Sequence, residues 1–206
     1  MQLYAITDRR LFATPEELIE QAALWANRGV DYVQIREKDL APADLAALTL
    51  GIVRAVRAAG GRTRVLLNGP AEVAAATGCD GIHLTAGLPG SAIADARRAM
   101  SGVVDNPVMS VSCHTMAEVE RARDEGATVA VFAPVFEKRL NIESGPGQGL
   151  QALALASQVA APMPVFALGG VMAENAQQCI DAGAAGVAGI RLFAKGSWTI
   201  LRKATL

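Results

Sequence analysis

Two rhythms of apolar and polar residues interleave along the chain. Short runs rich in Val, Ile, Leu and aromatic residues recur as LYAIT (3 to 7), YVQIR (32 to 36), RVLLN (64 to 68), GIHLT (81 to 85), VMSVS (108 to 112), VAVFA (129 to 133), VFALGG (165 to 170) and GVAGI (186 to 190). Their length and β-branched content predict eight strands. Between them lie Ala-, Leu- and Glu-rich stretches with helical spacing. From Pro15 to Arg28, Leu18, Ala22 and Trp25 share one face. Thr14-Pro15-Glu16-Glu17 supplies an N-cap, a first-turn proline and early acids, and Gly29 follows the last turn.

A small-residue phrase precedes several strands: NRGVDYV (27 to 33), ATGCDGI (76 to 82), DEGATVAV (124 to 131) and DAGAAGV (181 to 187). A glycine that ends a helix just before a strand begins is the αβ turn of a parallel α/β unit, because glycine takes the left-handed backbone at low cost. Eight such units predict an α/β protein with a single (β/α)8 TIM barrel over residues 1–206, at the short end of the ~200 to >400 residues that this fold spans. A doubly wound open sheet is the alternative, but no G-x-G-x-x-G follows the first strand.

Composition narrows the partner. The 206 residues are 51% hydrophobic, enough for one large core, and the formal charge of −1 is scattered without a basic stripe or acidic tail. A small molecule is expected, with no nucleic acid and no membrane partner. The start MQLYAITDRR lacks a charged leader with an apolar signal core, and the expected location is cytoplasmic. The three cysteines, Cys79, Cys113 and Cys179, lack metal-site or redox spacing and read as buried thiols. A homodimer is left open.

In a barrel the chemistry gathers at the C-terminal strand ends. Strand one ends in Thr7-Asp8-Arg9, strand three in Asn68-Gly69, and strand four carries His83 and Thr85. Strand five delivers Ser112 and His114, strand six runs into Pro134 to Arg139, and strands seven and eight end in Gly169-Gly170 and Gly189-Ile190-Arg191. Strand two ends in Q-x-R-x-K. Residues two apart on a strand point the same way, so Gln34, Arg36 and Lys38 are expected on one interior face, with Glu37 and Asp39 of the wrong parity to pair with them. Buried cations need a counter-charge, and an anionic ligand would supply it. A rim position in solvent, or pairing with Asp8, is the plainer alternative. Gly169-Gly170 and Gly189-Ile190 mark a second anion site built from backbone N–H groups, or else merely tight turns. The loop from 137 to 150 is long and polar, and residues 137–149 read either as a lid or as a surface loop. His83 and His114 are the only histidines. His114 is the candidate proton carrier, and packing competes with function for His83.

Taken in order, YAITD, VQIREKD, NGPAEVAAATGCDGIHL, SVSCHT, FAPVF, FALGGV and DAGAAGVAGI resemble the successive blocks of the thiamin phosphate synthase and TenI family. The resemblance implies a small phosphorylated heterocycle as ligand, thiazole phosphate or hydroxymethylpyrimidine pyrophosphate. Gln34, Arg36 and Lys38 would then meet phosphate or pyrophosphate, with Asn68, His83 and Ser112 beside them. The backbone of Gly169, Gly170, Gly189 and Ile190, and Arg191 with them, would hold thiazole phosphate. The synthase branch carries Asn-Asp after strand three and a further acid in an H-L-G-Q-x-D loop, which hold magnesium, where this chain has Asn68-Gly69 and HLTAGLP. Asn-Gly is similar to the TenI branch, a metal-free thiazole tautomerase, and this is the expected activity, with no cofactor or metal. TenI tautomerases place a histidine in G-H-V-F-E where this chain has Ala133-Pro134-Val135-Phe136-Glu137, which leaves His114 and Glu137 as the acid–base candidates. The alternatives are the synthase reaction with magnesium, and a binder of phosphorylated ligands without catalysis.

Overall fold

Each predicted strand forms, and most end a residue or more before the apolar run does, β5 alone running past it to Cys113. The computed structural model describes residues 1–87, 89–137, 146–194 and 196–203. The strands are β1 (Gln2–Ile6), β2 (Tyr32–Ile35), β3 (Arg64–Leu67), β4 (Gly81–Leu84), β5 (Val108–Cys113), β6 (Val129–Phe132), β7 (Val165–Ala167) and β8 (Gly186–Gly189). They pair in sequence order, all parallel, and β1 pairs with β8 to close the barrel. The helices that follow them are α1 (Pro15–Asn27), α2 (Pro42–Ala58), α3 (Ala71–Thr77), α4 (Ala92–Met100), α5 (Met116–Asp124), α6 (Gly149–Ala160), α7 (Ala176–Asp181), α8 (Arg191–Ala194) and, after the last strand's helix, α9 (Thr199–Lys203). The fold is thus a single (β/α)8 barrel, as expected.

Local chemistry explains the boundaries. Thr14 caps α1 by accepting from the Glu17 backbone N–H at 3.3 Å, with Pro15 in the first turn. The repeated small-residue phrase is the turn it promised: Gly29, Gly78, Gly126 and Gly183 all have φ between 74° and 93°. Strand parity then sorts two cores. Leu3, Ala5, Val33, Ile35, Val65 and Leu67 point outward under the helices and pack with Leu18, Ala22 and Trp25 of α1. Each fully buried branched side chain of this layer is worth about 1.5–3 kcal/mol. Tyr4, Ile6, Leu66, Val129, Val131 and Phe166 point inward.

The interior is plugged towards the N-terminal end of the strands. Tyr4 and Tyr32 stack with centroids 5.4 Å apart, and Phe166 meets both edge-on at 5.5 and 5.6 Å. Gly186 makes room for that plug, because a Cβ there would lie 2.7 Å from the Phe166 ring. The other end stays open and polar. All three cysteines are buried free thiols, and burial pushes the Cys113 thiol up to about 12. Among the described residues no helix is long and apolar enough to cross a membrane. The lid expected over 137–149 falls mainly on 138–145, outside the described residues.

Candidate active site

The opening of the barrel is built by chain that has just left its strands, and this changes the geometry expected for Q-x-R-x-K. Strand β2 ends at Ile35, so alternation carries only Gln34 into the interior, where it is 1% exposed. Beyond it the chain bends, closing a turn in which the Leu40 N–H donates to the Glu37 carbonyl at 3.2 Å. Arg36 is half-buried and Lys38 exposed, so the three residues lie at three depths instead of on one face. Both cations still bear on the mouth: the charges of Arg36 and Lys38 are felt at the buried His83 ring.

The same turn overturns the parity argument for Glu37. It is only 3% exposed and folds back on β1, accepting from Thr7 Oγ1 at 2.6 Å and from the Arg9 backbone N–H at 3.0 Å. Thr7 Oγ1 in turn accepts from the Arg36 backbone N–H at 3.0 Å. Arg9 completes the lock, reaching Glu37 at 3.5 Å and forking onto both oxygens of Asp39 at 2.7 and 2.9 Å. That fork holds the Asp39 carboxyl below its ordinary pKa. Asp8, the pairing partner considered for Arg36 and Lys38, is taken instead by Arg10 at 2.8 Å, which lowers its pKa. Among the described residues no hydrogen bond or ion pair occupies the Arg36 or Lys38 side chain.

Beside them opens a cavity of about 390 Å³, lined by Glu37, Lys38, Leu40, Pro42, Leu45, Asn68, Gly69, Pro70, His83, Leu84 and Thr85. Asn68 is fixed by donating through Nδ2 to the His83 carbonyl at 2.9 Å, which leaves its amide oxygen uncommitted. His83 is 5% exposed, with Nδ1 2.9 Å from Ser110 Oγ and Nε2 2.9 Å from Ser112 Oγ. Burial pushes its pKa down to about 3, with Arg36 and Lys38 adding to the shift, so the ring is neutral at pH 7. It serves as a hydrogen-bonding group and is unsuited to carrying a proton there.

His114 is placed differently. It is exposed just after β5, its backbone N–H donating to Glu118 in the capping box of α5. Nδ1 lies 2.7 Å from the Ala133 carbonyl, which can only accept, so Nδ1 carries a hydrogen, and in the neutral ring Nε2 is the acceptor. Glu137 is exposed on the neighbouring loop, at the edge of the described segment.

Strand β7 ends at Ala167, so Gly169 and Gly170 form a loop with φ of 94° and 64°. A Cβ on Gly169 would lie 2.7 Å from Pro134 Cα, and one on Gly170 2.7 Å from Phe136 Cβ and 2.8 Å from the Glu137 carbonyl oxygen. The pair lets the loops after β6 and β7 touch. Gly189 closes β8, Ile190 follows it, and Arg191 begins α8 with an exposed side chain.

Sequence reasoning missed Thr7, Arg9 and Glu37 as a unit, and Tyr4 and Ser110 beneath His83. The signal for the second pair was present, since Tyr4 and Ser110 have the interior parity of Ile6 and Ser112. Magnesium, which the synthase branch holds on carboxylates, meets a poor donor set. Among the described residues Glu37 is the one carboxylate on the cavity wall, and its oxygens already accept from Thr7 and Arg9. No group of three or more His, Cys, Asp or Glu suited to a metal occurs among the described residues. A hard divalent ion wants several free oxygens, and these residues do not fit one.

Comparison with known proteins places this geometry. The model of the thiamine monophosphate synthase family matches residues 3–193. The thiamine-phosphate synthase of Methanoculleus marisnigri is 34% identical over 90% of this chain and 84% of its own length. That of Geobacillus kaustophilus is 31% identical over 81% of this chain and 73% of its own. A solved thiamine phosphate pyrophosphorylase from Pyrococcus furiosus superposes with a TM-score of 0.79 at 22% identity, covering 98% of this chain and 94% of that one, which speaks to the shared barrel. With the family match running through all eight strands, the chain belongs to the thiamine monophosphate synthase family.

Proposed function

We propose that this protein couples hydroxymethylpyrimidine pyrophosphate to thiazole phosphate, the thiamin phosphate synthase reaction, with Arg36 and Lys38 receiving the departing pyrophosphate. The carrying observation is a cavity of about 390 Å³ with Lys38 on its wall, next in the chain but one to Arg36, both cations free of ion pairs among the described residues and both felt at the His83 ring that also lines it. The relatives named above bear the synthase's name, which favours coupling over the tautomerisation expected from Asn68-Gly69. In a displacement of this kind the bond to the pyrophosphate breaks as the two heterocycles join, and negative charge gathers on the leaving oxygens. A forked guanidinium and a mobile ammonium suit that charge, and both strengthen as the mouth loses water. With Asp8, Glu37 and Asp39 held by Arg10, Thr7 and Arg9, no carboxylate among the described residues forms an ion pair with either cation. The test is production of thiamin phosphate from the two substrates in the presence of magnesium, with a working synthase as control. No product from the pure protein rejects the reading.

A second reading rests on a separate observation. Gly69 stands where the synthase branch has an acid, and the Ala133 carbonyl holds Nδ1–H of His114, which in the neutral ring leaves Nε2 as the acceptor. Metal-free tautomerisation of a thiazole carboxylate phosphate needs a base and an anion clamp of this sort. Conversion of the thiazole tautomer, unaffected by chelator and abolished in His114→Ala, would favour this reading. No acceleration would remove it. Binding of thiazole phosphate with neither conversion nor coupling would leave a ligand-binding protein without catalysis.

A further inference from the structure

The turns that lead into every second strand carry more than a glycine. They read Gly29-Val30-Asp31 before β2, Gly78-Cys79-Asp80 before β4, Gly126-Ala127-Thr128 before β6 and Gly183-Ala184-Ala185 before β8. In each, the backbone N–H of the third residue donates to a carbonyl of the preceding strand: Asp31 to Leu3 at 3.0 Å, Asp80 to Val65 at 2.8 Å, Thr128 to Met109 at 2.8 Å and Ala185 to Val165 at 2.9 Å. In the first three a side-chain oxygen closes the ring. Asp31 Oδ2 accepts from the Leu3 N–H at 2.8 Å, Asp80 Oδ2 from the Val65 N–H at 2.7 Å and Thr128 Oγ1 from the Met109 N–H at 2.8 Å. The pairs β1–β2, β3–β4 and β5–β6 are thus clamped at their N-terminal ends through both backbone groups of one residue.

The fourth pair lacks the clamp. On an extended strand the N–H and C=O of one residue face the same neighbour, and the Val165 carbonyl faces Ala185, so its N–H does too. The register agrees, since Phe166 stands opposite Gly186 as Tyr4 stands opposite Tyr32. Ala185 has no side-chain oxygen to offer that N–H, and Val165 is only 2% exposed, so the missing bond is costly. β7 is also the shortest of the eight strands, with three residues. Both features weaken the same seam.

At its other end this seam meets the mouth. Gly169 and Gly170 follow β7, and Gly189 and Ile190 lie at the end of β8, so a ligand gripped by both loops ties the two strands together. We propose that the β7–β8 seam is where this barrel opens, and that a ligand held across its two loops closes it. Opening parts the loops and releases the ligand, so binding and closure are linked. The ligand step rests on the proposed coupling reaction, with thiazole phosphate bound at these loops; the opening of the free protein does not.

Amide hydrogen exchange of the ligand-free protein, corrected for intrinsic rates, compares Val165 with Leu3, Val65 and Met109. Val165 should exchange at least about tenfold faster, the value of one hydrogen bond. Exchange at Val165 as slow as at the other three overturns the proposal without any variant having to fold. Ala185→Asp and Ala185→Thr, which supply the acceptors of the other turns, should each slow Val165 about tenfold, and an unchanged rate in both overturns the role of the missing clamp. Thiazole phosphate at one hundred times its calorimetric Kd should slow Val165 in the unaltered protein about a hundredfold, because only the closed seam holds it. An unchanged rate with the ligand bound overturns the closure. Absence of binding overturns the ligand step together with the coupling reading, and exchange in the free protein still decides the seam.

Discussion

Glu37→Gln separates two views of the acid that lies beside an anion site. A charge-only view has Glu37 repelling the ligand, so that neutralising it tightens binding. The structure leads to the opposite result. Glu37 receives the Thr7 hydroxyl at 2.6 Å, the Arg9 backbone N–H at 3.0 and 3.2 Å, and the Arg9 guanidinium at 3.5 Å. Glutamine keeps the volume but has a single acceptor oxygen, so its NH2 must face a donor in either orientation. Losing one charge-assisted bond at a site 3% exposed costs about 1.5–3 kcal/mol. At roughly 2–4 °C per kcal/mol for a domain of this size, the Tm should fall by about 3–12 °C. The Coulombic gain is smaller, since unit charges 4 Å apart in water are worth about 1 kcal/mol and Arg9, shared with Asp39, already offsets part of the Glu37 charge. Thr7 links this loss to the ligand, because the hydroxyl that binds Glu37 also holds the Arg36 backbone N–H. A Thr7 set free loosens Arg36, and pyrophosphate should bind about fivefold more weakly, or about 1 kcal/mol. Melting curves and titration calorimetry with pyrophosphate measure both effects. Tighter binding at an unchanged Tm would refute the reasoning.

Four further outcomes follow from the same geometry. Lys38→Ala should weaken pyrophosphate binding by about 1.5–3 kcal/mol with little change in Tm, and unchanged affinity would place Lys38 outside the site. Gly170→Ala meets both a left-handed φ of 64° and a Cβ 2.7 Å from Phe136 Cβ, so denaturant titration should show a loss of at least about 1–2 kcal/mol. Gly69→Asp, whose Cβ has only a tight 3.3 Å contact with Leu45 and Leu67, should make pyrophosphate binding respond to magnesium, and calorimetry with and without chelator reads this. Because His83 titrates at about 3 folded and near 6.5 unfolded, the unfolded chain binds the extra proton between those values. Stability at neutral pH is therefore lost as the pH falls from 6.5 towards 3, by up to about 1.4 kcal/mol per pH unit, and His83→Asn should flatten the slope between pH 4.5 and 6.5.

The barrel was legible because its signals are local and repeated. Helical spacing, the Thr14 cap and the glycine of each αβ turn each act over a few residues, and all point to the same architecture. The mouth was less so, because alternation holds only while the chain is extended. At Gln34 it is extended, and the inward placement followed. Two residues later the chain has turned, and Glu37, assigned by parity to the wrong side, closes on Thr7 and Arg9 some 28 to 30 residues earlier. Tyr4 and Ser110, beneath His83, were hidden for another reason. Tyr4, Ser110 and His83 each fit an apolar strand when read alone, and only barrel closure brings positions 79 and 106 residues apart in sequence within 3.3 Å.

Charge placement explains how a chain with net charge −1 leaves two unpaired cations at the barrel mouth among its described residues. The two residues that flank Lys38 are acids, and in an extended strand they would lie against the cations before and after them. The turn after Ile35 removes them instead to Arg9, which holds Asp39 by a fork and Glu37 by backbone and side chain together. Arg10 takes Asp8 in the same way. Two arginines from the β1 loop thus engage three carboxylates of the mouth, and with Arg36 and Lys38, which no side-chain ion pair occupies among the described residues, the group carries a net positive charge of one. That arrangement also accounts for the poor fit of magnesium. The acids that could have held a cation are committed to arginine, and in the proposed reaction the charge that a metal would bring to the pyrophosphate would come from Arg36 and Lys38.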